Sequence, residues 1–408
     1  MKNILFISYD GMTDPLGQSQ VIPYLSGLAE YGYRFTILSC EKKGKYLENK
    51  NEVEKLLSVH SLKWIPIRYH KKPPIFSAIY DVYKLRQKAI QLHKKQKFDL
   101  VHTRPGVPAL IGLWMKKKYD VKFLNDIREF YADSRVDGRI WNSGSFFYKK
   151  IYRFFKQKED EAVEKSDGIV CLTYAAEKII KQWPQFRKQI PLKVIPCSVD
   201  MDLFDPERID SDKVAALKKT LNINDDELII SYLGSIGSWY LTDEMMQLFK
   251  MISDKIPKAK FLFISPNEHE TILNAAIKSG LSEMKLLITK ASRSEVPALL
   301  SVSKFSAFFI KSCYSKQSSS PTKHGEIMAM GIPVITNAGV GDVGDIVTAS
   351  NSGLVLDSLN EKQFHLIADK IAEGIIFNKD TIRNAAMEYY DLDNAIKKYL
   401  KIYREILE

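Results

Sequence analysis

Lys323, Glu326 and the serines ahead of them are the residues of this 408-residue chain whose types and spacing best suit chemistry. They fall in the run Ser318-Ser319-Ser320-Pro321-Thr322-Lys323-His324-Gly325-Glu326, which continues to Gly331 and Pro333. Ser320 suits an N-cap, Pro321 suits the first helical position, and Gly331 with Pro333 ends the run, so the pattern predicts one short helix over 322–330. The free N–H groups at such a start can hold a diphosphate. Lys323 adds a cation in that first turn. Glu326, about one turn further on, offers an acceptor-only carboxylate suited to ribose hydroxyls. The segment reads as the floor of a nucleotide-sugar site. The same letters also read as a capped core helix before a buried strand, and taken alone they do not separate the two.

What would position these residues is an alternation of strands and helices. Residues 4–7 form a buried apolar strand, the turn Asp14-Pro15-Leu16-Gly17 follows, and Val21, Leu25 and Leu28 recur at helical spacing as far as Gly32. Further strands are expected at 35–38, 99–102, 121–125 and 168–173. After a polar stretch the pattern restarts at 229–233, which runs into the glycine turn Gly234-Ser235-Ile236-Gly237-Ser238 and a helix from Thr242. More strands follow at 261–264, 285–289, 306–310 and 333–336. Two such β-α series imply an α/β protein of two doubly wound domains, with ligands at the carboxyl ends of the strands and hence in a central cleft. The expected boundaries are 1–197 and 198–387, with a last helix at about 388–408 packing back on the first domain.

Charge is divided unevenly over the chain. Of a net +11, residues 1–200 hold 36 Lys and Arg against 21 Asp and Glu, and residues 201–408 hold 24 against 28. A basic half favours nucleic acid, an anionic membrane surface or phosphorylated substrates. Two segments concentrate the effect: 68–97, rich in lysine, and 146–158, where Phe146, Phe147, Tyr148, Phe154 and Phe155 interleave with Lys149, Lys150, Arg153 and Lys156. The second suits the bilayer interface, and it also suits a core-facing helix with a solvated basic side. No apolar run approaches the roughly 20 residues of a membrane span. The start Met1-Lys2-Asn3 enters too short an apolar run for a signal peptide, so a cytoplasmic protein is expected, at most peripheral at the inner face of the membrane. The four cysteines are far apart and sit near apolar runs, as buried thiols do.

Several chemistries lack their signatures. The seven histidines are dispersed and no Asp-x-Asp triplet stands beside a strand, so no metal is expected. There is no Gly-x-Ser-x-Gly elbow and no P-loop, and the turn at Gly17 is not Gly-x-Gly-x-x-Gly. No cofactor is expected, and no nucleic-acid module is recognisable.

The ordered run of Gly17-Gln18-Ser19-Gln20, Asp99-Leu-Val-His102-Thr-Arg104, Asn125-Asp126-Ile-Arg128, Val194-Ile-Pro-Cys-Ser-Val-Asp200, the Gly234 turn and Gly325-Glu326-Ile-Met-Ala-Met-Gly331-Ile-Pro333 resembles the retaining glycosyltransferases of GT-B fold, family 4 in particular. The resemblance spans essentially the whole chain. It implies that Glu326, matching the second glutamate of the family's Glu-x(seven)-Glu motif, holds the nucleotide ribose. The first glutamate falls on Ser318, a departure. Where the family often carries an Arg and a Lys on the donor diphosphate, this chain has Ser235, Gly237 and Ser238, and Lys323 is the cation that could stand in. Gly17 matches a loop glycine that lets backbone approach the diphosphate and acceptor.

Donor-binding residues are thus expected to be Gly17, Gln18, Ser235, Gly237, Ser238, Lys290, Arg293, Ser318, Ser319, Ser320, Pro321, Thr322, Lys323 and Glu326, with Lys290 and Arg293 beside the base. The family's histidine after the strand at 121–125 is absent, and Arg128 takes its place, with Asp126 orienting it or accepting the acceptor's proton; a surface ion-pair network explains these charges as well. His102, Arg104, Glu129, Asp133 and Arg135 complete the acceptor side, His102 equally as a structural histidine. Asp126, Arg128, Lys323 and Glu326 are the catalytic candidates. The implied reaction moves a sugar from a UDP- or GDP-type donor to a saccharide or lipid-linked acceptor, without metal. A nucleotide-sugar epimerase, a silent sugar-nucleotide binding protein and a nucleic-acid binder are the alternatives; the last lacks a binding module.

Overall fold

The computed structural model describes every residue except Pro74, Ser238, Asn267 and Glu268. The chain divides into two compact units, Met1–Pro196 with Leu392–Glu408, and Cys197–Asp391. In the first unit seven strands form one parallel sheet: β1 (Lys2–Ser8), β2 (Tyr33–Glu41), β3 (Lys63–Arg68), β4 (Leu100–Thr103), β5 (Lys122–Ile127), β6 (Gly168–Cys171) and β7 (Leu192–Val194), in the order β3-β2-β1-β4-β5-β6-β7. In the second, β8 (Leu228–Leu233), β9 (Ala259–Ile264), β10 (Leu286–Thr289), β11 (Phe305–Phe308), β12 (Val334–Asn337) and β13 (Gly353–Leu356) pair as β10-β9-β8-β11-β12-β13.

The central strands are rich in apolar residues because both faces of each sheet are covered, and the polar residues among them, such as His102 of β4 and Ser231 of β8, are buried. Successive side chains point to opposite faces. Ile4 and Phe6 of β1 therefore join Leu25 and Leu28 on one side of the first sheet, and Leu5 and Ile7 join Leu85, Ala89 and Ile111 on the other. Both units are doubly wound and Rossmann-like. Each has one place where strand order reverses, between β1 and β4 and between β8 and β11. Ligand crevices form there, outside the carboxyl ends of the strands. The loop after β1 and the Gly234 turn after β8 leave from these two points.

Two local differences from the sequence reading have physical reasons. The first helical run is two helices, Pro15–Gln20 and Ile22–Glu30, broken at Val21 with φ −127° and ψ −62°. Pro23 has no N–H, and its ring would strike a carbonyl one turn back in a continuous helix. The strands β3, β7 and β13 were not expected from the sequence; each is a sheet edge, and β3 carries Pro66, which only an edge tolerates.

The helix Leu392–Leu407 belongs to the first unit. It lays Ile396, Tyr399, Leu400, Ile402, Tyr403 and Ile406 onto the face that holds Ile4 and Phe6. Cys40, Cys171 and Cys197 are buried thiols and Cys313 is half-buried.

Candidate functional site

In the second unit, β8 is followed by Gly234, whose φ of +113° favours glycine. The residue has a second reason to lack a side chain, since a Cβ there would sit 3.0 Å from the Nζ of Lys323. Lys323 thus reaches directly beneath the glycine turn. It comes from the helix Thr322–Ala329, in which Lys323 through Ala329 are all buried. Its Nζ donates to the Tyr232 hydroxyl at 3.2 Å and lies 4.2 Å from the Tyr232 ring, 3.9 Å from the Tyr240 ring and 5.9 Å from Phe308. The Tyr232 hydroxyl in turn donates to the carbonyl of Ser235 at 2.7 Å, so the cage and the turn are one unit. Burial pulls the Lys323 ammonium down to about 7 against the opposing pull of Glu326. A lysine inside a protein is seldom left without a carboxylate unless its charge has other work.

Glu326, one turn along the same helix, accepts from Arg293 Nη1 at 2.7 Å, and the Arg293 guanidinium lies 5.4 Å from the Phe204 ring. The structure therefore brings Lys323, Glu326, Arg293, Gly234 and Ser235 to one neighbourhood. Lys290 and Gly237 are exposed, and Ser238 lies outside the described residues. Ser320 does not cap the helix as the sequence suggested. The helix cap is Pro321, without a side-chain capping bond, and the Ser320 hydroxyl instead accepts from the Cys197 N–H at 3.2 Å. Ser318 is fully buried with its hydroxyl donating to the Ser315 carbonyl at 2.8 Å, and the Ser319 N–H bonds the Lys316 carbonyl at 3.1 Å. Ser318 thus braces its own loop, and Ser320 ties that loop to the start of the second unit. Thr322 and Lys323 precede the first closing bond, from the His324 N–H to the Pro321 carbonyl at 3.0 Å. The His324 Nδ1 accepts from the Tyr390 hydroxyl at 2.8 Å, and burial pushes that imidazole down to about 3, leaving it neutral.

In the first unit, the loop after β1 is organised by one buried carboxylate. Glu41 at the end of β2 accepts from the Met12 N–H at 2.8 Å, the Thr13 N–H at 3.2 Å, and the Thr13 and Ser39 hydroxyls, both at 2.5 Å. Gly17 is needed by this loop itself, because a Cβ on it would lie 2.3 Å from the Gly11 carbonyl oxygen and 2.6 Å from Met12 Cα. Gln18 is half-buried, its amide 3.4 Å from the Thr13 carbonyl.

The ends of β4 and β5 carry a closed polar network. Asp126 Oδ2 accepts from the Tyr399 hydroxyl at 2.8 Å and lies 3.3 Å from His102 Nε2, while His102 Nδ1 is 2.7 Å from the Tyr403 hydroxyl. Arg128 donates to the Tyr399 hydroxyl at 3.2 Å and stands 3.9 Å from Asp126 Oδ1. Burial works against the Asp126 charge, but Arg128 and the His102 hydrogen bond outweigh it and hold the carboxyl below its ordinary range. Burial likewise holds His102 low despite Asp126. A neutral His102 that donates from Nε2 and accepts at Nδ1 satisfies every one of these contacts. Arg104 is buried and reaches the Gln20 carbonyl at 3.4 Å. The cavity beside His102, Arg104 and Asp126 measures only ≈ 10 Å³, room for about one water. Asp126 and His102 therefore bind the last helix to the sheet. Glu129 accepts from Arg135 at 3.1 Å and from the Ser134 hydroxyl at 2.8 Å, and Asp133 from Tyr152 at 2.8 Å and Lys156 at 3.0 Å, an ion-pair network at the strand ends.

Sequence reasoning missed Tyr232, Tyr240 and Phe308 as the walls around Lys323, and Tyr399 and Tyr403 as the partners of Asp126 and His102. The two tyrosines that flank the Gly234 turn were the one available signal. Tyr399 and Tyr403, one helical turn apart on an amphipathic helix, read only as core.

The sequence matches the family described as Glycosyl transferases group 1 over residues 214–387 and the one described as Glycosyltransferase Family 4 over residues 19–203. No curated protein matches it. Solved structures share the fold at low identity. A glycosyltransferase from Rickettsia africae is 18% identical with a TM-score of 0.70, covering 100% of this chain and 99% of that one. HepE of Anabaena in complex with UDP-glucose is 13% identical with a TM-score of 0.71 and coverage of 99% and 100%. WaaG, a glycosyltransferase involved in lipopolysaccharide biosynthesis, is 13% identical with a TM-score of 0.68 and coverage of 98% and 99%.

Proposed function

Because this chain belongs to the family 4, group 1 glycosyltransferases, we propose that it transfers a hexose, with retention, from a nucleotide-diphosphate sugar to a lipid-linked saccharide in surface polysaccharide assembly. The observation that carries the donor half is Lys323, buried in an aromatic cage directly under the Gly234 turn, with Glu326 one turn along the same helix. Breaking the bond from the anomeric carbon to the diphosphate puts negative charge on phosphate and leaves an oxocarbenium-like sugar. Backbone N–H groups of the turn and helix start, together with Lys323, stabilise that leaving group without a metal. Retention follows if the acceptor hydroxyl attacks from the face the diphosphate leaves, giving its proton to the departing phosphate oxygen. Glu326 accepts from ribose hydroxyls, and Arg293 holds the carboxylate in place.

The HepE complex with UDP-glucose makes UDP-sugars the first donors to try, with GDP-sugars second. The basic first unit supports an anionic, lipid-linked acceptor at a membrane surface. Incubating the protein with a panel of UDP- and GDP-sugars should show binding and slow hydrolysis of one donor. No binding and no hydrolysis of any of them would overturn the reading, and conversion of a donor to its epimer without acceptor would make the protein an epimerase. Glu326→Ala should weaken nucleotide binding about ten- to hundredfold, the worth of a charged hydrogen bond or two, measured by calorimetry. Unchanged affinity would place the ribose elsewhere.

A further inference from the structure

The helix Phe76–Lys95 of the first unit buries Ser77, Asp81, Leu85, Ala89 and Leu92 and turns Phe76, Ile79, Tyr80 and Tyr83 to solvent. Positions 76, 79, 80 and 83 are spaced to form a single stripe on a helix. Phe76 is 74% exposed and Ile79 62%. The helix Phe146–Lys165 does the same in its first turn, with Phe146 72% and Phe147 51% exposed. Both pack against the helix Val107–Tyr119 between them, so both lie on one face of the sheet. Crossover helices run antiparallel to the strands they connect, so both first turns emerge at the carboxyl edge of that sheet.

Cations without an acidic partner surround these rings. Lys71, Lys72, Lys84, Lys149, Lys150 and Arg153 are exposed, and among the described residues none pairs with a carboxylate. Other lysines on the same face do: Lys116 with Asp167, Lys117 with Glu161, Lys156 with Asp133. Lys84 lies 5.3 Å from the Tyr80 ring and Lys150 4.6 Å from the Phe146 ring, stems along the apolar surface and heads outward. Neither helix has an acidic residue in its first turn. Exposed rings and uncompensated cations at one edge are a poor surface for water and a good one for headgroups and acyl chains together.

We propose that this edge docks on an anionic lipid bilayer, with the first turns of the two helices in the headgroup layer and the six cations against lipid phosphates. Among the described residues no helix is long and apolar enough to cross a membrane, so the contact is peripheral. The inference rests on the proposed function only for its use, which is to bring the unit to a lipid-linked acceptor. Vesicle binding itself needs neither donor nor acceptor.

Co-sedimentation of the full chain with vesicles tests it. Binding to phosphatidylcholine vesicles containing phosphatidylglycerol should exceed binding to pure phosphatidylcholine by at least about tenfold and weaken with added salt. F76S/F146S and K149E/K150E should each lose most of this binding with unchanged near-ultraviolet circular dichroism, whereas K94E/K95E, at the far end of the first helix, should keep it. Equal binding to neutral vesicles, no vesicle binding, retention by both variants, or equal loss by K94E/K95E would overturn the proposal. Nucleotide affinity measured on the same samples reports separately on the transferase reading, so the failure of one does not imitate the failure of the other.

Discussion

Lys323→Met should lower kcat/KM for the donor about 10²- to 10³-fold while leaving the protein as stable as before or more so. The two effects part because of where Lys323 sits. Its cage of Tyr232, Tyr240 and Phe308 accepts a methionine, which fills the same volume and likes aromatic neighbours. An ammonium there gives up water for one hydroxyl and three ring faces, which only partly offset the loss. Residues that weaken the fold where they serve the reaction show this trade.

The same placement makes nucleotide binding depend on pH. In the free protein Lys323 titrates at about 7, against an ordinary value of 10.5. Between those values the unfolded chain holds more protons than the folded one, so the stability contributed by this residue grows as pH rises and is lost as pH falls toward 7. A bound diphosphate favours the ammonium and reverses the balance. Binding therefore takes up a proton, and affinity should fall as pH rises from 7 to 9, by up to about tenfold per unit. Lys323→Met should flatten that profile. A flat profile in the unaltered protein, or full turnover by the Met variant, would remove Lys323 from the donor site.

Asp126→Ala should cost about 3–5 kcal/mol of stability, seen as a lower denaturant midpoint of the first unit. The substitution takes the acceptor from Tyr399 and His102 and the carboxylate from beside a buried Arg128. Asp126→Asn keeps one oxygen acceptor and should cost less. The result separates the two roles that the sequence left open for Asp126. A variant as stable as the parent but without activity would make the aspartate chemical; one that unfolds early makes it a tie for the last helix.

The sheet centres were legible because a strand covered on both faces must be largely apolar, as 4–7 is throughout and 229–233 is but for Ser231. The edges were not. β7 spans three residues, β13 alternates buried and half-buried positions, and β3 mixes Lys63, Pro66 and Arg68 into its run, so nothing local marks them. Lys323 and Glu326 were legible by type, since charged residues inside an apolar helix stand out. Their surroundings were not, because Tyr232 at the end of β8 and Tyr240 just after the glycine turn lie far in sequence from Lys323 and Phe308, and only the folded sheet brings them together. Ser320 misled for a related reason: its hydroxyl met a better donor in Cys197 than its own helix supplied.

The last helix gives the first unit a history as well as a shape. Cys197–Asp391 is one continuous stretch, but Met1–Pro196 has to wait for Leu392–Glu408. During synthesis the later unit is therefore whole before the earlier one is. Until Tyr399 and Tyr403 arrive, His102 and Asp126 lack these partners, and the sheet face that holds Ile4, Phe6 and Leu124 has only part of its cover, from Leu25 and Leu28. That interval is when the nascent protein offers the most sticky surface, and it makes the stretch after residue 391 the part whose loss a chaperone would notice first.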